Sequence, residues 1–167
     1  MPKGLKQTSS VVSIGFQVNE SAANTFTQGS VDLNLSALDR EVFVVLAANL
    51  DPFNPDLGGA DSQVATSLTS TSQTAVTNLS NANCMANAIT SIQADATRAV
   101  GLMTGALETP PATLEYIGII ATNDFFVQVT GTGNTAAKGV SGKIYGYRAE
   151  ASADIYAALV QSEVLSA

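Results

Sequence analysis

The sequence predicts an all-β fold, a two-sheet antiparallel sandwich with one internal and one C-terminal short helix. Three features carry that expectation. Apolar residues alternate with polar ones in Val12, Ile14, Phe16 and Val18, and again in Val31, Leu33 and Leu35, the period of a half-buried strand. The run 42–48, Val-Phe-Val-Val-Leu-Ala-Ala, is apolar on both faces, as in a strand covered on each side. Clusters of Gly, Pro, Asn and Asp then punctuate the apolar runs, as the turns of a sandwich do.

Taken in order, the first strand is centred on Val12 to Val18, and the second on Val31 to Leu35, with one wet face. The run 42–48 is the expected centre of the sheet. Residues 51–59 carry two prolines, two glycines and turn-forming Asp and Asn, which predicts a long surface loop. The Ser- and Thr-rich stretch 62–77, with Val64, Leu68 and Val76, favours an extended edge strand. From Asn83, the spacing of Met85, Ala88, Ile89, Ile92 and Ala96 fits one face of a helix closed by Gly101. Pro110-Pro111 breaks the chain before an apolar strand at 114–121. A turn at 122–124 leads into 125–129, and Gly131 to Asn134 turns the chain into a last strand, 140–147. Ile155, Tyr156, Leu159 and Val160 repeat at helical spacing behind Ser152 and Asp154, which suit the N-cap and the positive first turn. Seven or eight strands point to a two-sheet sandwich, eight being the number in a jelly roll, with a closed barrel as the other architecture of this pattern.

A chain of 167 residues fits one domain: a sandwich over 1–167, with a short basic N-terminal arm at 1–9 and a C-terminal helix at 152–165. Only 13% of residues are charged, about half the usual quarter, so the surface must be built largely from Ser, Thr, Asn, Gln, Ala and Gly. Such groups cost less to desolvate than unpaired charges and hydrogen-bond across a contact. A surface of this kind suits a protein covered by its neighbours. The net charge of −7 argues against non-specific nucleic-acid binding, which relies on Lys and Arg neutralising phosphates. Lys3 and Lys6 alone offer a weak positive contact. No stretch approaches the ~20 apolar residues of a membrane span, and no apolar run of signal-peptide length follows the first residues.

The chain has no His and a single cysteine, Cys84. Ser-His-Asp triads, Cys-His dyads, histidine-ligated metals, internal disulfides and cysteine-based zinc sites are therefore impossible. No catalytic residue is expected. Asp51, Asn54, Asp56 and Asp61 place four oxygen-bearing side chains in one Gly- and Pro-rich loop, the ligand type that calcium takes. Their spacing is not that of an EF-hand, and turn formation explains the same residues. Calcium is thus the one candidate cofactor. Asp39 and Glu41 flank Arg40 as in a charged turn, although paired carboxylates also occur in glycosidases. Gly131-Thr132-Gly133 and Gly139 to Lys143 lack phosphate-loop spacing and fit a hairpin turn and a strand. Tyr145, Tyr147 and Arg148 could stack on bases, but the acidic background favours a core or contact role.

The basic start, the alternation at 11–16, the apolar strand 41–50, the hairpin at 119–126 and the small C-terminal helix together resemble the coat proteins of small tailless icosahedral viruses. The likeness covers size, composition and strand pattern over most of the chain. It implies a single jelly roll copied many times in a shell, with copies of itself as the main partner, other virion proteins as further partners, and location in the virion after synthesis in a host cytoplasm. The chain departs from family members that carry a long Arg-rich arm. Assembly contacts are expected at the two ends, through Leu5 and through Ile155, Tyr156, Leu159 and Val160. The other classes left open are a sandwich or barrel that presents the 51–61 loop to a ligand or in adhesion, and an extracellular fibre subunit.

Overall fold

A computed structural model describes residues 1–105 and 114–166. The described residues form two antiparallel sheets and a C-terminal helix. The strands are β1 (Leu5–Gln7), β2 (Val12–Asn19), β3 (Thr27–Asp32), β4 (Glu41–Pro52), β5 (Ser62–Thr69), β6 (Cys84–Ala94), β7 (Ala99–Gly105), β8 (Gly118–Ile120), β9 (Asp124–Thr132) and β10 (Gly139–Ala151), followed by α1 (Ala153–Ser166). One sheet runs β1-β10-β4-β8 with β2 also on β10; the other runs β3-β9-β5-β6-β7.

The pairing has a simple rule. Leaving β1 and β7 aside, the first of the remaining strands pairs with the last (β2 with β10), and the second with the last but one (β3 with β9). The third then pairs with β8 (β4), and the two middle strands, β5 and β6, pair with each other. This is one long antiparallel ribbon. Rolling it up brings β10 beside β4 and β9 beside β5, which is how a double Greek key closes into a jelly roll. β10 is the spine: β4 lines one of its edges from Val140↔Pro52 to Glu150↔Glu41, while β2 and then β1 line the other. A bulge between Tyr145 and Gly146 interrupts the β4 ladder. A Cβ at Gly146 would run into the Val44 carbonyl and the Phe43 ring, so only Gly lets the strands approach there.

The main core lies between the sheets. Phe43 and Val45 from β4, with Val140 and Ile144 from β10, face Val64 and Leu68 from β5 and Phe125, Val127 and Val129 from β9, all buried. Phe16 meets Phe125 edge to face at 5.6 Å between ring centroids, a favoured aromatic geometry. Because side chains alternate across a strand, the neighbouring residues Val42, Val44, Tyr147 and Ala149 point to the opposite face of the first sheet. There they form a second apolar cluster. The both-face apolar run of β4 thus serves two layers, as its sequence predicts.

Several elements differ from expectation. The helix expected from Asn83 to Gly101 is absent; that segment forms β6, a turn and β7. Its helical spacing coexists with a period-two set, Ala86 and Ala88 facing inward, and the ladder with β5 decides between them. Asp95 makes the turn, its Oδ1 accepting from the Thr97 and Arg98 backbone N–H groups at 2.8 Å each. The stretch expected as an edge strand is β5, which is central, between β9 and β6, and residues after Thr69 leave the sheet. The second strand lies earlier than its alternation suggests, because the chain bends at Asn34, with φ of 51°, and Leu33 is buried beyond the strand end. The segment expected as a basic arm lies on the sandwich: Leu5 is buried and β1 is hydrogen-bonded along β10.

Candidate functional site

Three polar constructions and one helix seat are the places where this fold does something beyond closing a core. The first is at the end of the sandwich where the turns after β2, β4 and β9 meet. Glu20, buried just past β2, accepts from the backbone N–H groups of Thr25 (3.0 Å), Gly131 (2.6 Å) and Lys138 (2.8 Å). Among the described residues, all of its hydrogen-bond partners are backbone N–H groups. The Asn24 side chain takes both backbone groups of Asn134, its Nδ2 donating to Asn134 O (2.8 Å) and its Oδ1 accepting from Asn134 N–H (2.9 Å). The Asn134 amide also donates to Gln63 O (2.9 Å), and its oxygen accepts from Asp56 N–H (2.9 Å).

The expected calcium ligands sit at this end, and the structure separates them. Asp51 lies within β4, opposite Ser141. Asn54 is exposed. Asp61 Oδ1 accepts from Ala94 N–H at 2.9 Å. The Asp56 carboxylate pairs with Lys138 Nζ and accepts from the Thr135 backbone N–H (2.9 Å) and hydroxyl (2.8 Å). Lys138, followed by Thr135, holds it well below the usual carboxylate range. Among the described residues, no three carboxylate or thiol side chains gather where they could hold a metal ion. Asp56 serves instead as the tie between the loop after β4 and the turn before β10.

The second construction covers the outer face of the β5–β9 pair. Residues 70–83 fold over that face, pinned by neutral side chains. Gln128 Nε2 donates to Gln28 Oε1 (3.0 Å) and to Thr69 Oγ1 (2.7 Å), while its Oε1 accepts from Ser67 Oγ (2.7 Å). Gln28 Oε1 also accepts from Gln73 N–H (2.8 Å), and Asn87 Nδ2 donates to Thr77 O (2.7 Å). Gln128, Ser67 and Thr69 are fully buried. Amides and hydroxyls therefore fill this layer where another sandwich would use a second apolar face.

The helix seat is the outer face of the first sheet. Ile155, Tyr156, Leu159 and Val160 pack on Leu5, Val42, Val44, Tyr147 and Ala149. The residues expected at an assembly contact thus lie against the chain's own sheet. Gly4, with φ of 80°, passes beneath Ile155 where a Cβ would clash with it. Tyr147 is desolvated there, and burial, with the nearby charge of Glu115, pushes its phenol up. One turn beyond Leu159, the third construction is the buried Glu163, whose two oxygens accept the Ala121 and Thr122 backbone N–H groups at 2.9 Å each. Beside it lies a cavity of about 190 Å³, bordered by Cys84, Met85, Ile119, Leu159, Ser162 and Glu163. Cys84 is half-buried, burial pushes its thiol up, and it donates to Ala86 O at 3.3 Å. A thiol held protonated is a poor nucleophile.

The remaining candidates resolve as structural. Arg40 adopts φ of 53° in the charged turn and pairs with Glu150 at 3.2 Å. Glu41 pairs with Arg148 at 3.1 Å, and Asp39 accepts from Ser36 Oγ, so the two acids face different partners. Arg148 also donates to Leu33 O (2.7 Å) and Asn34 O (3.0 Å), which ties it down. Among the described residues, no helix is long and apolar enough to cross a membrane. Sequence reading missed Glu20 and Glu163. Glu163 was within reach, since 155, 159 and 163 share one helix face; Glu20, in a polar stretch, gave no signal.

No family model and no curated protein matches the chain. Among solved structures, it is similar to a chain of Desmodium yellow mottle tymovirus, with 16% identity over 92% of this chain and 89% of that one, at a TM-score of 0.31. It is also similar to a tailspike protein, gp49 from the Acinetobacter baumannii bacteriophage Fri1, a capsular polysaccharide depolymerase. There the identity is 12% over 72% of this chain and 20% of that one, at a TM-score of 0.16. Superpositions this loose carry neither fold nor function across. The jelly roll rests on the strand pairing itself.

Proposed function

We propose that this chain is a non-enzymatic structural subunit that assembles with copies of itself, and that the assembly is a virus coat. The observation that carries the reading is the complete rolled ribbon, an architecture used by viral capsid and lectin domains and by cupins. Fold alone does not fix function, so the surface must choose among these. A sandwich with little charge and a cover of neutral amides and hydroxyls suits burial against neighbours. An enzyme on the same fold would need an acid-base or metal constellation, and the buried carboxylates Glu20 and Glu163 are committed to backbone donors. A module presenting the 51–61 loop to a ligand is disfavoured by Asp56, which is turned to Lys138. In this reading the subunit resides in the virion, further virion proteins are secondary partners, and Lys3 and Lys6 provide at most a weak contact with nucleic acid. Negative-stain electron microscopy of the purified protein across ionic strength is the test. Closed particles of uniform size are expected; a protein that stays monomeric under every condition would refute self-assembly.

A further inference from the structure

The second sheet is one strand wider than the first. β2, β10 and β4 pack across from β3, β9, β5 and β6, and among the described residues β7 lies beyond β6 with β6 as its main neighbour. Ala99, Val100, Gly101 and Leu102 are all exposed, Val100 at 59% and Leu102 at 45%. Among the described residues, no strand pairs with its outer edge. Ordering a strand costs about 1–2 kcal/mol per residue in backbone entropy, and here the ladder with β6 is the visible return. Edge strands are ordinarily blunted by charge, proline or a bulge. β7, Ala-Val-Gly-Leu-Met-Thr-Gly, has no charge and no proline, and its register with β6 is unbroken from Ala94↔Ala99 to Ala88↔Gly105.

We infer that β7 is a subunit contact, pairing edge to edge and antiparallel with β7 of a second copy. This rests on the self-assembly reading above and names the contact. The self-assembly reading supplies the second copy, and charge decides where it can add. Two copies of a chain with net charge −7 repel, and β7 is an uncharged, exposed strand on which they can meet without opposing like charges. An antiparallel strand is also its own complement about a twofold axis. Centred on the midpoint of β7, the pairing sets Leu102 beside its counterpart, with Val100 on the same face. A seven-residue edge buries far less than the ~1,200–2,000 Å² of a stable pair, so it works as one contact among several in an assembly.

The test replaces two exposed side chains, Val100→Lys with Leu102→Lys, in the full chain, and follows assembly by light scattering and sedimentation against protein concentration. The expected result is unchanged circular dichroism and Tm, with the assembly threshold raised roughly tenfold or more, since like charges oppose one another across the pair. If wild type assembles and the variant does so at the same concentration, the β7 contact is wrong and self-assembly stands. If wild type never assembles, both fall. Should the lysine variant fold poorly, Leu102→Cys with Cys84→Ala decides. Mild oxidation of assembled protein then yields a disulfide-linked dimer, and its absence overturns the pairing.

Discussion

Removing the Glu163 carboxylate measures how firmly the carboxy-terminal helix is fixed to the sandwich. The side chain is 7% exposed, and its oxygens satisfy two backbone N–H groups, of Ala121 and Thr122. Glu163→Ala orphans both donors. A buried donor left unsatisfied costs about 1–3 kcal/mol, so two give about 2–6 kcal/mol. The neighbouring cavity of about 190 Å³ can admit water to the vacated site, which sets the expectation at the low end, about 2–3 kcal/mol. Glu163→Gln keeps one accepting oxygen but turns an amide donor toward the other N–H, and should lose about half as much. Val164→Ala, exposed one residue on, is the control and should stay within about 0.5 kcal/mol. Urea unfolding followed by far-UV circular dichroism gives the three values, with an unchanged slope as the check on two-state behaviour. A Glu163→Ala loss no larger than the control would refute the clamp.

Other expectations follow from the same contacts. Asp56→Asn should lower Tm at neutral pH, because the Lys138 pair depresses the folded-state carboxyl. Its contribution is full above the unfolded value near ~4 and is lost as pH falls toward the folded one. The gap between wild type and variant should narrow below about pH 4, and a gap independent of pH would remove the ion pair as its cause. Millimolar calcium should leave Tm unchanged, since Asp51 sits on β4 while Asp56 is tied to Lys138 and Asp61 to Ala94 N–H; a clear rise would mean that the loop regroups around the ion. Leu159→Asp with Val160→Asp should destabilise the subunit by at least ~3 kcal/mol, because both residues pack on its own sheet. A folded, soluble variant that no longer assembles would instead place the helix at a subunit contact.

How much of this was legible in the sequence depends on which interactions decide each segment. β2, β4, β9 and β10 were visible because their partners bury one or both faces and leave a periodic trace. β6 was misread because its spacing satisfies a helix and a strand at once, and only the nonlocal ladder with β5 breaks the tie. The position of β5 was misjudged for a different reason. Its outward side chains include Ser67 and Thr69, which look solvated until the 70–83 segment and Gln128 close over them. Polarity predicts a wet face only where no other polar group is available to take water's place.

That substitution also explains why the candidate site was harder to read than the fold. Asp51, Asn54, Asp56 and Asp61 were grouped because they are close in sequence, yet each side chain is placed by a partner far along the chain or by none: Asp56 by Lys138, Asp61 by Ala94. Glu20 reaches across 111 residues to Gly131. In a rolled ribbon the first strand closes on the last, so its polar ties are long-range by construction, and local spacing cannot reveal them. The two ends of the chain are likewise joined through β1, β10 and α1 on one outer face. With that face covered by the helix and much of the opposite one by the 70–83 segment, the self-assembly reading directs subunit contacts to the rims of the sheets, where among the described residues the edge strands have an outer side with no strand partner. The rim strands β2 and β8 also lack charge and proline, but in β7 Ala99, Val100, Gly101 and Leu102 are all exposed, and for that physical reason it is where a second copy is expected to add.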